Sequence, residues 1–154
     1  MKFWDASALV PLLVQEPLTV ELQLLYAGDP TMVVWWGTEI EAASAVARLE
    51  RMGLPREEGA VALARLDLLR SRWQEVPPVR VVRSRARLLL PQHSLRAGDA
   101  LQLAAAIIVA GPEGSQFEMV CLDDRLAEAA RAEGFAVIDQ ATFKSRDPGE
   151  SAAP

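Results

Sequence analysis

The sequence predicts an α/β fold in which a mostly parallel sheet is covered by helices on both faces. Three observations support this prediction. Short apolar runs alternate with longer helical patterns, Gly and Pro residues separate the two kinds of segment, and one run is rich in β-branched and aromatic residues. The length of 154 residues suits a single domain, and a hydrophobic content of 51% is enough for one packed core.

The first half of the chain predicts two strands and four helices. The run TMVVWW at residues 31–36 is typical of a buried strand, and Leu63, Leu66 and Leu69 recur at helical spacing. A Gly-Asp-Pro turn precedes this strand, and Gly53 closes the helix that follows it. In chain order, the predicted elements are a strand at 2–4, helices at 6–15 and 20–27, a strand at 31–36, and helices at 38–51 and 56–73.

The second half begins where Pro77 and Pro78 break the chain. The segment 98–110 is nearly all apolar, so its helix should be buried on most sides. The predicted elements are helices at 81–90 and 98–110, a strand at 118–122, a helix at 124–133 and a strand at 136–138. Residues 145–154 (SRDPGESAAP) have the composition of a disordered tail, which leaves 1–144 as the domain.

Several features favour a cytoplasmic protein. An acid at position 5 interrupts the first apolar stretch, unlike a secretory signal. The longest apolar run, residues 103–110, is far short of the ~20 residues that a membrane span needs. The single cysteine, Cys121, cannot form an internal disulfide, which suits a reducing compartment.

The distribution of charge leaves two interpretations open. A formal net charge of −5 argues against a protein that binds nucleic acid through phosphates alone. The segment from Arg48 to Arg96, however, carries eleven arginines and five acids. These arginines could lie on solvated helices that form salt bridges, or they could form a phosphate-binding wall.

Four acids occupy related positions in the predicted fold. Asp5 and Asp123 each follow a strand, so both point to the same edge of a parallel sheet, where ligands bind. Glu41 lies in the first turn after the second strand, and Asp99 begins the apolar helix. Each also has a structural explanation: N-capping for the first two, a capping box with Thr38 for Glu41, and the helix dipole for Asp99.

Taken together, the four acids predict a metal site. Converging carboxylates repel one another, and a hard dication with oxygen ligands, such as Mg²⁺, relieves this repulsion. The sequence has no Cys/His cluster for zinc, and its single histidine, His93, is predicted to lie in a loop. Mg²⁺ held by carboxylates can activate water against a phosphodiester, which gives a nuclease that needs no catalytic histidine.

Four segments carry a resemblance to a known family. They are WDASALV at 4–10, EAASAVARL at 41–49, LRAGDALQLAAA at 95–106 and VCLDDRLAEAARAEG at 120–134. In order and spacing they resemble the PIN-domain nucleases, and among these the VapC-type toxins of toxin–antitoxin pairs. The resemblance implies a three-layer α/β/α sandwich and endonucleolytic cleavage of RNA with Mg²⁺ or Mn²⁺. It also implies a homodimer and inhibition by a cognate antitoxin protein, whose arginine would pair with the carboxylates.

The resemblance also implies roles for particular residues. Asp5 and Asp99 would be the principal metal ligands, with Glu41 and Asp123 as the third and fourth acids, directly or through water. Glu39 is the weaker rival of Glu41. Asp124 is the rival of Asp123, which is favoured because relatives place the acid three residues before a leucine, here Leu126.

The resemblance also implies two supporting residues, and the chain departs from the family pattern at two positions. Ser7 would support the first aspartate or a metal-bound water, or it is simply a hydroxyl at a helix start. Arg96 would contact a phosphate beside Asp99, or it forms a salt bridge. Many relatives have a histidine where this chain has Gln102, and Thr or Ser where it has Cys121. Neither is a principal ligand, so metal binding should survive.

Two other functions remain open from the sequence. A non-catalytic protein-binding module would fit the net acidity. A phosphotransfer domain would use Asp5 as a nucleophile, although Ser7 stands where such domains have a second acid. Trp35 and Trp36 could stack on bases, but burial at the end of the TMVV run is the favoured interpretation.

Overall fold

A computed structural model describes residues 1–111 and 117–145 of the chain. Strands and helices alternate along it as predicted. The strands are β1 (Lys2–Trp4), β2 (Met32–Trp35), β3 (Gln74–Val76), β4 (Glu118–Val120) and β5 (Ala136–Ile138). The helices are α1 (Ala6–Leu13), α2 (Thr19–Gly28), α3 (Thr38–Arg51), α4 (Arg56–Arg70), α5 (Arg80–His93), α6 (Ala97–Ala110), α7 (Asp124–Ala132) and α8 (Gln140–Lys144).

The strands form one parallel sheet in the order β3-β2-β1-β4-β5. From β1 the chain builds outward through β2 to β3, then returns to place β4 on the other side of β1. Trp4 of β1 is paired with Val120 of β4, and the Asp5 N–H donates to the Val120 carbonyl at 3.0 Å. The strand order therefore reverses between β1 and β4, which is where open parallel sheets form a ligand crevice.

Alternating strand residues pack into two separate cores. Phe3, Val33 and Met119 belong to the core that includes residues of α5, α6 and α7. Trp4 and Val120 belong to the opposite core, with residues of α1, α2 and α8. This alternation follows from the two-residue repeat of a strand, and it confirms the predicted three-layer α/β/α sandwich. A third cluster, which includes Leu13, Val46 and Leu66, packs α3 and α4 against α1.

Four local predictions were wrong or incomplete. β3 was not predicted because it is a short edge strand in which Gln74 and Glu75 are exposed. α8 was also missed. Trp36 is 51% exposed, because β2 ends at Trp35 and only Trp35 turns into the core. His93 is the last residue of α5 rather than a loop residue, and its Nε2 lies 2.8 Å from a Glu133 carboxylate oxygen.

Two further predictions concern the C-terminal tail and membrane-spanning helices. The predicted disordered tail at 145–154 lies outside the described residues, apart from Ser145. In the part of the chain that is described, no helix is both long and apolar enough to cross a membrane.

Candidate active site

Asp5 is held at the carboxyl end of the central strand. It is the N-cap of α1, with 5% of its surface exposed, and its Oδ2 accepts a hydrogen bond from the Ser7 N–H at 2.9 Å. Asp5 is therefore a helix N-cap, as the capping explanation predicts. Capping requires only one carboxylate oxygen, so it does not prevent Asp5 from serving a site at the sheet edge.

The Ser7 hydroxyl supports Asp5 and ties it to the neighbouring strand. Its Oγ donates to Asp5 Oδ2 at 2.5 Å and accepts from the Leu122 N–H at 2.9 Å. The buried thiol of Cys121 lies 3.8 Å from the same aspartate oxygen and donates to the Asp123 carbonyl. These contacts fix the Asp5 carboxylate relative to the segment that carries Asp123.

The position of Glu41 does not depend on a capping box. The N-cap of α3 is Gly37, and Thr38 is already inside the helix. The Thr38 hydroxyl is directed to Gln102 of α6 instead, so the predicted capping box is wrong. Glu41 Oε2 accepts a hydrogen bond from Gln102 Nε2 at 2.9 Å. Its rival Glu39 is instead paired with Arg70 at 3.0 Å. The charges of Asp5 and Asp99 act on Glu41.

Asp99 lies in the first turn of α6, half-buried. Its Oδ2 accepts from the Arg96 backbone N–H at 3.3 Å, which places the acid at the positive end of the helix dipole. Among the described residues, no carboxylate lies within salt-bridge distance of the Arg96 guanidinium group, so the salt-bridge alternative is not observed. The predicted phosphate contact would be made by this same group.

Asp123 and Asp124 differ in their contacts at the start of α7. Asp123 caps α7, with its Oδ1 accepting from the Leu126 N–H at 2.9 Å, and its charge acts on Asp99. Asp124 is the exposed first residue of α7 and is not among the principal charges that act on Asp5, Glu41 or Asp99.

Electrostatic coupling shows that the four acids share one region. Burial raises the pKa of Asp5, and the nearby Asp99 charge raises it further. Burial also raises the pKa of Glu41, with Asp5 and Asp99 adding to the effect. The pKa of Asp99 is raised by burial and by Asp123, against the opposing charges of Arg96 and Arg125. Negative charge is therefore gathered at the β1/β4 crevice, and among the described residues none of the four acids is neutralised by a salt bridge.

The donor set fits a hard divalent cation. All four groups are carboxylates, and none forms a salt bridge within the described residues. Across residues 1–111 and 117–145, no three His, Cys, Asp or Glu side chains are grouped closely enough to bind a metal together. Binding would therefore use a few direct carboxylate ligands with water completing the shell, as Mg²⁺ prefers.

The arginines between Arg48 and Arg96 differ in their surroundings, so neither the salt-bridge interpretation nor the phosphate-binding interpretation applies to all of them. Arg70 and Arg85 form salt bridges with Glu39 and Glu133, as expected for solvated helices. The charge that flanks Asp99 comes from Arg96, and also from Arg125 of α7, which the sequence did not single out. Arg125 also lines a cavity of about 270 Å³ between the end of α5 and α7.

A profile of the PIN domain matches residues 2–132, which is most of the chain. The chain belongs to the PIN-domain family. PIN domains are generally nucleases and generally use divalent metals, so the family and the carboxylate crevice point to the same chemistry. A search of curated protein sequences finds no match.

Solved structures share the fold of this PIN domain. PAE2754 from Pyrobaculum aerophilum has a TM-score of 0.65 at 21% identity, over 94% of this chain and 93% of that one. A chain of a toxin–antitoxin complex from Klebsiella pneumoniae has a TM-score of 0.63 at 14% identity, over 90% of this chain and 96% of that one. At these identities, the similarity establishes the architecture only.

Proposed function

We propose that this PIN domain is a Mg²⁺-dependent endoribonuclease, with Mn²⁺ as an alternative cofactor, and that it is the toxin of a toxin–antitoxin pair. One observation carries the nuclease proposal. Asp5, Glu41, Asp99 and Asp123 lie at the crevice between β1 and β4, where their charges act on one another, and none forms a salt bridge among the described residues. Such a cluster is suited to a divalent cation, which the family generally uses.

Each residue has a distinct role in this proposal. Asp5 and Asp99 would hold the cation directly, and Glu41 and Asp123 would bind it through water. The bound cation would supply activated water and neutralise the charge that develops on the phosphodiester. Ser7 orients Asp5 through its 2.5 Å hydrogen bond.

Positive charge beside the carboxylates would position the substrate. The guanidinium groups of Arg96 and Arg125 act on Asp99 from nearby and have no carboxylate partner among the described residues. Both would bind phosphates on either side of the bond that is cut, since a guanidinium matches a phosphate in charge and geometry. The locally basic surface thus compensates for the overall acidity of the chain.

The toxin assignment rests on resemblance. The sequence motifs resemble VapC-type toxins, and one similar structure is a toxin–antitoxin complex. A cognate antitoxin would inhibit by placing an arginine against the four carboxylates. We further propose a homodimer and a cytoplasmic location. The buried, unpaired Cys121 is compatible with a reducing compartment.

Cleavage of RNA with and without Mg²⁺ tests the nuclease proposal. We expect Asp5→Asn and Asp99→Asn each to lower the cleavage rate at least ~100-fold, because each removes the charge of a metal ligand. Asp139→Asn is the matched control, since Asp139 is also a buried helix cap but is paired with Arg131. Its cleavage rate should stay within about twofold of wild type.

Other outcomes would replace the proposal. Wild-type-like cleavage by either site variant would show that the carboxylates do not hold the cation. No cleavage together with no saturable Mn²⁺ binding would favour a protein-binding module. Phosphate trapped covalently on Asp5 would favour a phosphotransfer domain.

A further inference from the structure

Gln102 is a buried polar residue in the middle of an apolar helix. It has 0% of its surface exposed, and its helix neighbours Leu103 and Ala104 are equally buried. Its amide nitrogen donates to Glu41 Oε2 at 2.9 Å and to the Thr38 Oγ1 at 3.1 Å. An amide placed in such an environment without partners would cost about 1–3 kcal/mol, so both hydrogen bonds constrain the residue strongly.

The hydrogen bond from Gln102 mainly affects the orientation of the Glu41 side chain. A glutamate side chain has several rotatable bonds, and a half-buried carboxylate repelled by Asp5 and Asp99 would turn away from the crevice. The hydrogen bond from Gln102 holds one carboxylate oxygen against α6. The other oxygen, Oε1, lies beside Gly98, where a methyl group would sit 3.6 Å from it. Glu41 is thus held along the face of α6 that carries Asp99.

We propose that Gln102 is a positioning residue, which fixes the Glu41 carboxylate so that the site acquires its third acid when a divalent cation binds. This inference rests on the proposed function, since it assumes that Glu41 contributes to a cation site. Gln102 does not touch the cation or the substrate. It acts through Glu41, as hydrogen-bonding partners of metal ligands often do.

The affinity for Mn²⁺ of the full chain, measured by calorimetry, provides the test. Gln102→Met keeps an unbranched side chain of similar size but removes the N–H donors. We expect it to weaken Mn²⁺ binding about tenfold, at the lower end of what such partners contribute. The matched control is Leu103→Met, at the next position of the same helix and equally buried, and its Mn²⁺ affinity should be unchanged.

A double-mutant cycle separates positioning from general damage to the fold. If Gln102 acts through Glu41, adding Gln102→Met to Glu41→Gln should weaken Mn²⁺ binding no further. A purely structural role would instead lower the affinity by the same factor in both backgrounds, and that result would overturn the inference. Gln102→Leu serves in the same cycle if the methionine variant does not fold.

The two proposals fail in different ways. If wild type does not bind Mn²⁺, or if Asp5→Asn binds it equally well, the proposed function fails. If Asp5→Asn and Glu41→Gln weaken binding while Gln102→Met binds like wild type, only the role of Gln102 is wrong.

Discussion

Asp5 and Asp139 are both buried aspartates that cap helices, yet their electrostatic surroundings are opposite. Asp5 caps α1 at the β1/β4 crevice, and Asp139 caps α8 after β5, with 5% and 8% of their surfaces exposed. Burial raises the pKa of Asp5, and Asp99 reinforces that rise. Burial acts in the same direction on Asp139, but the Arg131 guanidinium and the Thr142 hydrogen bonds outweigh it and lower its pKa to about 2.

The contrast shows which feature separates a structural acid from an acid of the candidate site in this molecule. Burial and capping are common to both residues, so neither property identifies the site. The difference is the counter-ion, which the chain supplies for Asp139 through Arg131 and does not supply for Asp5 among its described residues. An acid that is buried beside other acids is prepared for a charge from outside the chain.

The largest expected effect is stabilisation of the fold by a divalent cation. At a concentration 100 times the dissociation constant, Mg²⁺ or Mn²⁺ should raise the free energy of unfolding by about 2.7 kcal/mol. Thermal melts with the cation and with EDTA measure this difference. Asp5→Asn should lose most of it, whereas Asp139→Asn should retain it. Equal loss in both variants would mean that the two acids do not differ as described.

In EDTA, the same two substitutions should change stability in opposite directions. Asparagine can still cap a helix, so each change mainly removes a charge. Asp139→Asn should lower the free energy of unfolding by about 1–2 kcal/mol, less than the full pKa shift implies, because Arg131 is half exposed. Asp5→Asn should raise the free energy of unfolding by relieving repulsion. Urea denaturation measures both, and a loss of stability in Asp5→Asn would contradict the prediction.

The smallest effect is a dependence of stability on pH. Asp5, Glu41 and Asp99 have folded-state pKa values above those of the unfolded chain, 3.8 for Asp and 4.5 for Glu. In EDTA, the folded state therefore binds more protons, and stability should rise by about 1 kcal/mol or less as the pH falls from neutral towards these unfolded-chain values. Below 3.8 the opposite applies, because the contribution of Asp139 is lost as pH falls towards 2.

Melting temperatures across this range, with and without cation, measure the pH effect. Asp5→Asn should flatten the rise in stability on acidification from neutral pH, since it removes one of the three groups responsible. Saturating Mg²⁺ should reverse the slope, because protons and the cation compete for the same carboxylates. A slope that Mg²⁺ leaves unchanged would place its origin outside the crevice.

Elements with a strong local pattern could be predicted from the sequence, and the weaker ones could not. The apolar α6 and the β-branched β2 are dominated by burial, so their patterns were informative. β3 has three residues and becomes a strand only by pairing with β2, which no local pattern records. Trp36 looked like a strand residue but lies past the end of β2, where its backbone pairs while its side chain remains exposed.

The candidate site shows the same division. Capping by Asp5 and Asp123 was readable from position, and the family motifs pointed to all four acids. The capping box proposed for Glu41 was wrong because its actual partner, Gln102, lies 61 residues further along the chain. No local pattern marks Arg125, because its importance comes only from its proximity to Asp99.

The amino-acid sequence by itself determined the family and the α/β class and predicted which four acids form the candidate site, because these follow from residue types in a given order. Only the tertiary structure decided which acids are neutralised by the chain and which are not. That outcome depends on whether an arginine such as Arg131 packs beside the carboxylate, or another acid such as Asp99 does. Coulomb interactions depend on distance in space, and the fold sets that distance for residues far apart in the chain.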